Sequence, residues 1–325
     1  MKSSLTSEHP ERTSPYRLPS GLNERVEEKL DQVRQPTNLL TPVRCSVVPA
    51  PLVGELASLV NRINNTLPSG EQEFQTWEEL IVQLSGKLGA FNQAVEKVRA
   101  NVPPPQAPPE QDFYYFIRNS SSFGQMEWPL AVRDLVVESL SSRKDAVITA
   151  WGGEGGFSKG VCVRCRERDV DLLLAAYGYG SVWFPPWGFL VRATSRQVAC
   201  RLRASIPNGI TLFVRRPTTL DWLGRKLPWL GKVLGSVGLS GDADFDKAVQ
   251  VYGNSGVAAA LLTDSVRQLL RTYPIEQLVI ANGTVELVWS TPWAKSGVNV
   301  LPDPPVAMVV AVVESVHAAL GPLSI

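Results

Sequence analysis

The residues most suggestive of chemistry form the segment WGGEGGFSKGVCVRC at 151–165. Its glycines, Ser-Lys pair and Cys-x-x-Cys pair are residue types of phosphate loops, metal sites and redox couples. A phosphate loop places Lys and then Ser or Thr after its last glycine, whereas the order here is Ser158, Lys159, Gly160. A strand is predicted to follow, so no helix N-terminus is present to receive an anion. The spacing therefore favours a glycine-rich turn between two strands.

The Cys-x-x-Cys pair, Cys162 and Cys165, falls within a strand predicted at 159–168. Residues three apart in a strand point to opposite faces, so these thiols are poorly placed to share a metal ion or form a disulfide. Cys200 and two distant histidines do not complete a zinc site. We therefore expect no metal and no cofactor, and interpret Cys165 and Cys200 as small core residues.

The acidic segment DADFD, with Asp242, Asp244 and Asp246, begins like a calcium loop. Lys247 stands where such a loop has its glycine, and Gly253 stands where it has its terminal glutamate. The segment is therefore interpreted as the polar start of a strand that contains the residues Phe245, Val249 and Val251.

Groups for other kinds of catalysis are scarce, because the chain has two histidines. His9 lies in a predicted disordered arm, and His317 lies one turn from Glu314 in a predicted closing helix. No Ser–His–Asp or Cys–His system can be assembled from them. An enzyme with a carboxylate-based site remains an alternative, but no acidic pair stands in a motif, so the sequence favours a protein that is not an enzyme.

An aromatic segment at 177–189, YGYGSVWFPPWGF, is predicted to be a wide hairpin loop. Its rings, held rigidly by Pro185 and Pro186, would form a contact surface for a partner or close one end of the core. The candidate contact residues are Tyr177, Tyr179, Trp183, Phe184, Trp187 and Phe189.

A basic, aromatic and amphipathic segment at 217–241 has the composition of a membrane-interface helix. It could equally be a connector that packs on its own domain, and Pro228 with several glycines favours the connector. The residues of its candidate membrane or partner face are Trp222, Leu223, Arg225, Lys226, Trp229 and Leu230.

A heptad pattern from residue 74 to residue 98 is the most regular feature of the chain. It predicts either a coiled coil that oligomerises or a long helix packed in a hairpin within the chain, and Gly86 and Gly89 favour the hairpin. Ser69 and Gln72 are spaced as a capping box before this helix. The candidate oligomer seam consists of Phe74, Trp77, Ile81, Leu84, Leu88 and Phe91.

Composition narrows the class of protein. The 325 residues are 44% hydrophobic, and 32 basic residues face 31 acidic ones, so no electrostatic footprint for nucleic acid is evident. The few scattered cysteines are typical of a reducing compartment. The first residues lack the apolar core of a signal peptide, and no apolar run reaches the roughly 18 residues of a membrane span. A cytoplasmic protein, or one peripheral to the membrane, is expected.

The Asn282-Gly283 pair between two alternating apolar runs predicts a two-residue type I′ hairpin. A helical region at 255–272 with a break near Thr263 precedes it, and a closing helix follows at Val306–Leu320. The fold class expected is α+β, with an N-terminal helical segment, a proline-rich linker and a C-terminal domain of antiparallel sheet with helices packed on one face. The predicted segments are a disordered arm (1–20), a helical domain (21–100), the linker (101–112), a strand-rich half (113–216), the amphipathic connector (217–241) and an α+β half (242–325).

The run FDKAVQVYGNSGVAAALLT, followed by LVIANGTVELVW and the closing helix, resembles a bacterial domain-of-unknown-function family. Members carry an F-D-x-x-F-x-V-x-S pattern, an A-R-x-L-L-T helix and a short hairpin, and many are membrane-anchored through upstream helices. The resemblance covers about residues 244–320; Val249 replaces the second Phe, Gly253 replaces the Ser, and the Arg is absent. It implies a fold and a bacterial origin, but no reaction.

The leading functional prediction is a non-enzymatic interaction or assembly protein that binds another protein through the aromatic loop, the heptad helix or both. Self-association is a related expectation. The alternative is a peripheral membrane protein that uses 217–241, and the third hypothesis is the carboxylate-based enzyme. Neither nucleic acid nor metal is an expected partner.

Overall fold

The computed structural model describes residues 21–106, 123–125, 128–151, 157–158, 160–183, 193–216, 242–294, 297–298 and 303–321. The chain divides into two compact units, which we call the helical unit (residues 1–40 and 50–92) and the sheet unit (residues 41–49 and 93–325). The division falls inside a long helix at residue 92, whereas the sequence predicted it at the proline-rich linker.

The helical unit is built from α1 (Leu22–Thr37), α3 (Ala50–Asn65) and the greater part of α4 (Glu71–Ala100). α4 begins where the backbone N–H and the hydroxyl of Ser69 both donate to Glu73, at 2.8 and 2.6 Å. These bonds lower the pKa of Glu73. The partner of Ser69 is therefore Glu73 and not Gln72, because the helix starts one residue later than the spacing suggested.

The heptad side chains of α4 form the core of the helical unit. Phe74, Trp77, Ile81, Leu84, Leu88 and Phe91 are all buried within the single chain. The indole N–H of Trp77 donates to the carbonyl of Ile63 at 3.0 Å, which supplies a hydrogen bond to the last turn of α3. Arg25 and Lys29 of α1 pair with Glu71 and Glu78 at 2.9 and 2.7 Å. The candidate oligomer seam is thus occupied by the chain's own helices.

The sheet unit carries the remaining elements. Its helices are α2 (Pro42–Val47), α5 (Leu130–Ser141), α6 (Ala243–Ala248), α7 (Ser255–Leu261), α8 (Asp264–Thr272) and α9 (Asp303–Leu320), together with the last turns of α4. Its strands are β1 (Phe123–Gln125), β2 (Trp128–Pro129), β3 (Lys144–Trp151), β4 (Phe157–Ser158), β5 (Gly160–Glu167), β6 (Val170–Trp183), β7 (Ala193–Ser205), β8 (Leu212–Arg215), β9 (Gln250–Gly253), β10 (Gln277–Ala281), β11 (Thr284–Ala294) and β12 (Gly297–Val298).

One antiparallel sheet has the strand order β3-β5-β6-β7-β11-β10-β8-β9, with β1 paired to β6 and β12 paired to β11. β2 and β4 form a separate pair. The junction between β7 and β11 runs from Ser205 opposite Thr284 to Gln197 opposite Pro292. The segments 113–216 and 242–325, predicted as two halves, therefore contribute to the same sheet, and the predicted α+β class is confirmed.

The two faces of the sheet differ in chemistry. A row of facing residues across six strands is apolar and buried: Val163, Leu174, Leu202, Leu287, Leu278 and Val214. The row beside it, on the other face, contains Arg164, Leu173, Arg203 and Glu286. α9, whose apolar side chains are largely buried, contacts β7 and β11. Arg143 pairs with both Glu167 and Asp303, which ties the β5–β6 turn to the start of α9.

Of three local predictions for residues 242–325, two are confirmed and one is wrong. Asn282 and Gly283 have φ of 51° and 74°, which confirms the type I′ turn. The helical break is confirmed as well, because Thr263 separates α7 from α8. The strand predicted through Phe245 is wrong, because Asp242 caps a short helix there and the strand β9 begins only at Gln250.

Candidate binding cleft

The aromatic segment predicted as a loop is largely a strand in its described part. Tyr177, Tyr179 and Trp183 belong to β6 and face Ala199, Gln197 and Ala193 of β7. The loop prediction is therefore wrong for this part, because β7 supplies hydrogen-bonding partners as far as Trp183. Three other candidates lie outside the described residues: Phe184, Trp187 and Phe189.

The amphipathic segment 217–241, with Trp222, Leu223, Arg225, Lys226, Trp229 and Leu230, also lies outside the described residues. Its role as a membrane or partner face stays a prediction. Among the helices that the structure describes, none combines the length and the apolarity needed to cross a membrane.

A cleft of about 810 Å³ lies within the sheet unit, a volume typical of ligand-binding sites. One wall is formed by the last turns of α4 and the start of the proline-rich segment. The other wall is formed by the turn after β7 and the turn between β10 and β11. The lining residues that matter below are Ala94, Lys97, Asn101, Gln106, Arg203, Asn208 and Asn282.

The first wall is defined by the end of α4. The side-chain amide of Asn101 donates to the carbonyl of Lys97 at 2.7 Å, which satisfies one of the free carbonyls at the helix end. Pro103, Pro104 and Pro105 follow immediately. Each proline fixes φ and lacks an N–H, so the helix cannot continue and the wall is stiff.

The second wall is defined by two turns that support each other. The N–H of Ile206 donates to the carbonyl of Gly283 at 2.9 Å. A Cβ on Gly283 would lie 2.7 Å from the side-chain oxygen of Asn208. Gly283 also has positive φ, so glycine is needed both for the turn and for the contact. The positions of Asn208 and Asn282 beside the cleft follow from this packing.

A buried charge cluster lies beside the cleft on β7 and β11. Glu286 is 8% exposed and is paired with Arg201 at 3.1 Å and, through the Nε of Arg203, with a second guanidinium. Two guanidinium groups share one carboxylate, so the three side chains carry a net charge of about +1 at neutral pH. Buried charges of this kind are stable only when paired, and the pairing orients Arg203, which reaches the cleft.

The lining contains positive charges and hydrogen-bonding side chains that a ligand could engage. Lys97 and Arg203 are its cations, and no Asp or Glu occurs among the described lining residues. Lys97 has no ion pair with any residue that the structure describes. Asn101, Gln106, Asn208 and Asn282 add side-chain amides that can both donate and accept.

The cysteines of the sheet unit do not contribute to this site. Cys162 and Cys165 point to opposite faces of β5, as the sequence predicted, and both are buried free thiols. Burial raises the pKa of Cys162 to about 11 and also raises that of Cys200. A thiol with a raised pKa is a poor nucleophile at neutral pH. Within the described ranges, no three His, Cys, Asp or Glu side chains form a group able to hold a metal ion.

Sequence reasoning missed the cleft because its charged residues share no motif. Lys97 lies near the end of the heptad helix, and Arg203 lies in a strand far along the chain. The signals present were the proline run and the Asn-Gly turn, which predicted a linker and a hairpin but not that the two would meet.

No known protein family, no curated protein and no solved structure matches the chain. The function must therefore be argued from the cleft and its residues.

Proposed function

We propose that the protein is a non-enzymatic interaction protein that binds an extended peptide segment of a partner protein in the cleft. The observation that carries the proposal is a cleft of about 810 Å³ lined by amide side chains and cations between two well-braced walls. A preformed cleft loses less conformational entropy on binding than a surface that must first become ordered, which favours affinity.

The amide side chains match the chemistry of a peptide backbone. Each peptide unit presents one N–H donor and one C=O acceptor, and an Asn or Gln side chain presents the same two groups. Asn101, Gln106, Asn208 and Asn282 lie along the lining. Val98, Pro103 and Pro104 add apolar side chains to the lining. A lining with both amide and apolar groups suits an extended chain, which exposes its backbone groups as well as its side chains.

The proposed class, a non-enzymatic interaction protein, is the one that the sequence favours. The proposed contact surface is the cleft, in place of the aromatic loop or the heptad helix. The heptad seam is buried in the helical unit, which leaves the cleft as the better-supported site. The aromatic residues Phe184, Trp187 and Phe189 stay a separate prediction.

The test is selection of random peptides displayed on phage against the immobilised full chain. Ala94→Trp places an indole in the cleft, because Ala94 is a lining residue. Ala100→Trp is the matched control, because Ala100 is exposed on the same helix and outside the lining. We expect the wild type and Ala100→Trp to select a common peptide motif and Ala94→Trp to lose it.

Thermal unfolding of each variant shows whether its fold is retained. If Ala94→Trp is destabilised, Asn208→Ala decides instead, since Asn208 is exposed and its amide belongs to the lining. The proposal is overturned if the wild type selects no motif, or if a folded cleft variant selects the same motif with equal affinity.

A further inference from the structure

We infer that the bound peptide carries an acidic side chain, whose carboxylate is held by Lys97 and Arg203. This inference rests on the proposed function and specifies the chemistry of its partner. Its basis is the charge of the lining, in which two cations face the cleft and no carboxylate occurs among the described residues.

Glu286 orients the guanidinium of Arg203 but occupies only one of its nitrogen atoms. Its Nε donates to Glu286, and its two terminal nitrogens make no hydrogen bond to the residues that the structure describes. Its side chain is 21% exposed, so the guanidinium is held in place while part of it reaches solvent. A guanidinium with free terminal N–H groups matches the two oxygens of a carboxylate.

Lys97 adds a second, independent charge. It is exposed in the last turns of α4, and its charge is not offset by an ion pair within the described residues. The other charged pair at this helix end, Glu96 and Arg99, is joined at 3.4 Å. An ammonium is a compact charge on a flexible stem, so Lys97 can adjust to a ligand that Arg203 positions.

Two negative charges near the cleft oppose the binding of an anion, the carboxylate of Glu286 and the C-terminal end of α4. The carboxylate of Glu286 is already engaged by the guanidinium groups of Arg201 and Arg203. The C-terminus of α4 carries only about half a negative charge. Lys97 adds a positive charge to the lining that no described carboxylate neutralises.

The experiment uses two phage libraries of nine-residue peptides that differ only in a fixed central residue, Glu in one and Gln in the other. We expect the wild type to enrich the Glu library at least roughly tenfold over the Gln library, as a hydrogen bond to a charged group implies. Addition of salt should reduce the preference, because a partly exposed ion pair is screened.

Two variants assign the preference to the named side chains. Lys97→Gln should reduce binding of the selected Glu peptides, whereas Lys87→Gln, the same charge change on the same helix, should not. Lys87 pairs with Glu55 in the helical unit and is not a lining residue. Arg203→Lys keeps the charge and removes the guanidinium fork, and it should also weaken these peptides.

The outcomes separate this inference from the proposed function. Equal enrichment of the two libraries, with loss of both in Ala94→Trp, overturns the acidic partner and leaves peptide binding intact. A Glu preference that persists in both Lys97→Gln and Arg203→Lys overturns the assignment to these residues. Enrichment of neither library overturns peptide binding and the inference together.

Discussion

Asp242 shows how one side chain decides a local structure that sequence patterns misjudged. Its Oδ1 accepts hydrogen bonds from the N–H groups of Asp244 and Phe245 at 3.0 and 2.9 Å, and its Oδ2 accepts one from Arg271 at 2.7 Å. The bond from Phe245 is the main reason that the pKa of Asp242 is lowered. The residue that resembled a calcium ligand is therefore the N-cap of α6.

Substitution of Asp242 tests the cap and the ion pair separately. Asp242→Asn keeps a capping oxygen and loses the charge that attracts Arg271, whereas Asp242→Ala loses both. We expect Asp242→Ala to lower the melting temperature more than Asp242→Asn does. Asp264→Asn is the control, because Asp264 is almost fully exposed and its pairing with Arg267 contributes little.

The effect of Asp242 should depend on pH in a defined direction. Its pKa is lower in the folded state than in the unfolded state, so its charge stabilises the fold above the unfolded value of about 3.9. That stabilisation is lost as the pH falls through the folded pKa. The difference in melting temperature between the wild type and Asp242→Asn should therefore shrink between about pH 6 and about pH 2. A constant difference would contradict this account.

At the level of elements, the position of α2 is set by contacts that sequence patterns do not show. Gly209, in the turn after β7, has a φ of +102°, and a Cβ there would lie 2.1 Å from the carbonyl oxygen of Ser46 in α2. Arg44 of α2 donates to the carbonyl of Gly321 at the end of α9, at 3.2 Å. α2 is thus held between the turn beside the cleft and the closing helix.

Two Gly→Ala substitutions should have opposite effects on the free energy of unfolding. Gly209→Ala should lower it by at least about 1–3 kcal/mol, because alanine is strained at this φ and its methyl group meets backbone. Gly86→Ala should raise it by about 0.5–1 kcal/mol, because alanine favours a helix and nothing lies within 4 Å of the added Cβ. Urea denaturation measures both changes, and a stable Gly209→Ala variant would disprove the tight contact with α2.

For the molecule as a whole, the sheet is the element that cannot be divided. β7 and β11 are paired over nine residues, although they lie on opposite sides of the segment 217–241 in the chain. A chain without β11 would expose the edge of β7, and a long unpaired edge promotes aggregation. The sequence predicts that residues 217–241 connect two separate halves, whereas strands from both sides of this segment pair in one sheet.

A truncation at residue 216 tests this dependence. The fragment 1–216 lacks β9, β10 and β11 and should show no cooperative thermal transition from the sheet unit. Circular dichroism and size-exclusion chromatography of the fragment and the full chain measure this. Refolding together with a fragment of residues 217–325 should restore the transition; a monomeric fragment 1–216 with an intact sheet would contradict the prediction.

The sequence alone determined features whose information lies within a few neighbouring residues. The Asn282-Gly283 turn, the helix break at Thr263 and the opposite faces of Cys162 and Cys165 follow from local backbone preferences and strand periodicity. The buried heptad face of α4 was also predictable, because its spacing repeats through the helix itself. The α+β class follows from the order of such elements.

Only the tertiary structure decided how distant segments meet. β6 lacks a period-two pattern because Leu172 to Ala176 are all buried, and a strand covered on both faces is an uninterrupted apolar run. The pairing of β7 with β11 joins residues that are far apart in the chain. The same pairing sets Arg203 beside Glu286, and the packing of the turns and the end of α4 brings Lys97 to the same cleft. Such contacts depend on global packing, so no local pattern encodes the site.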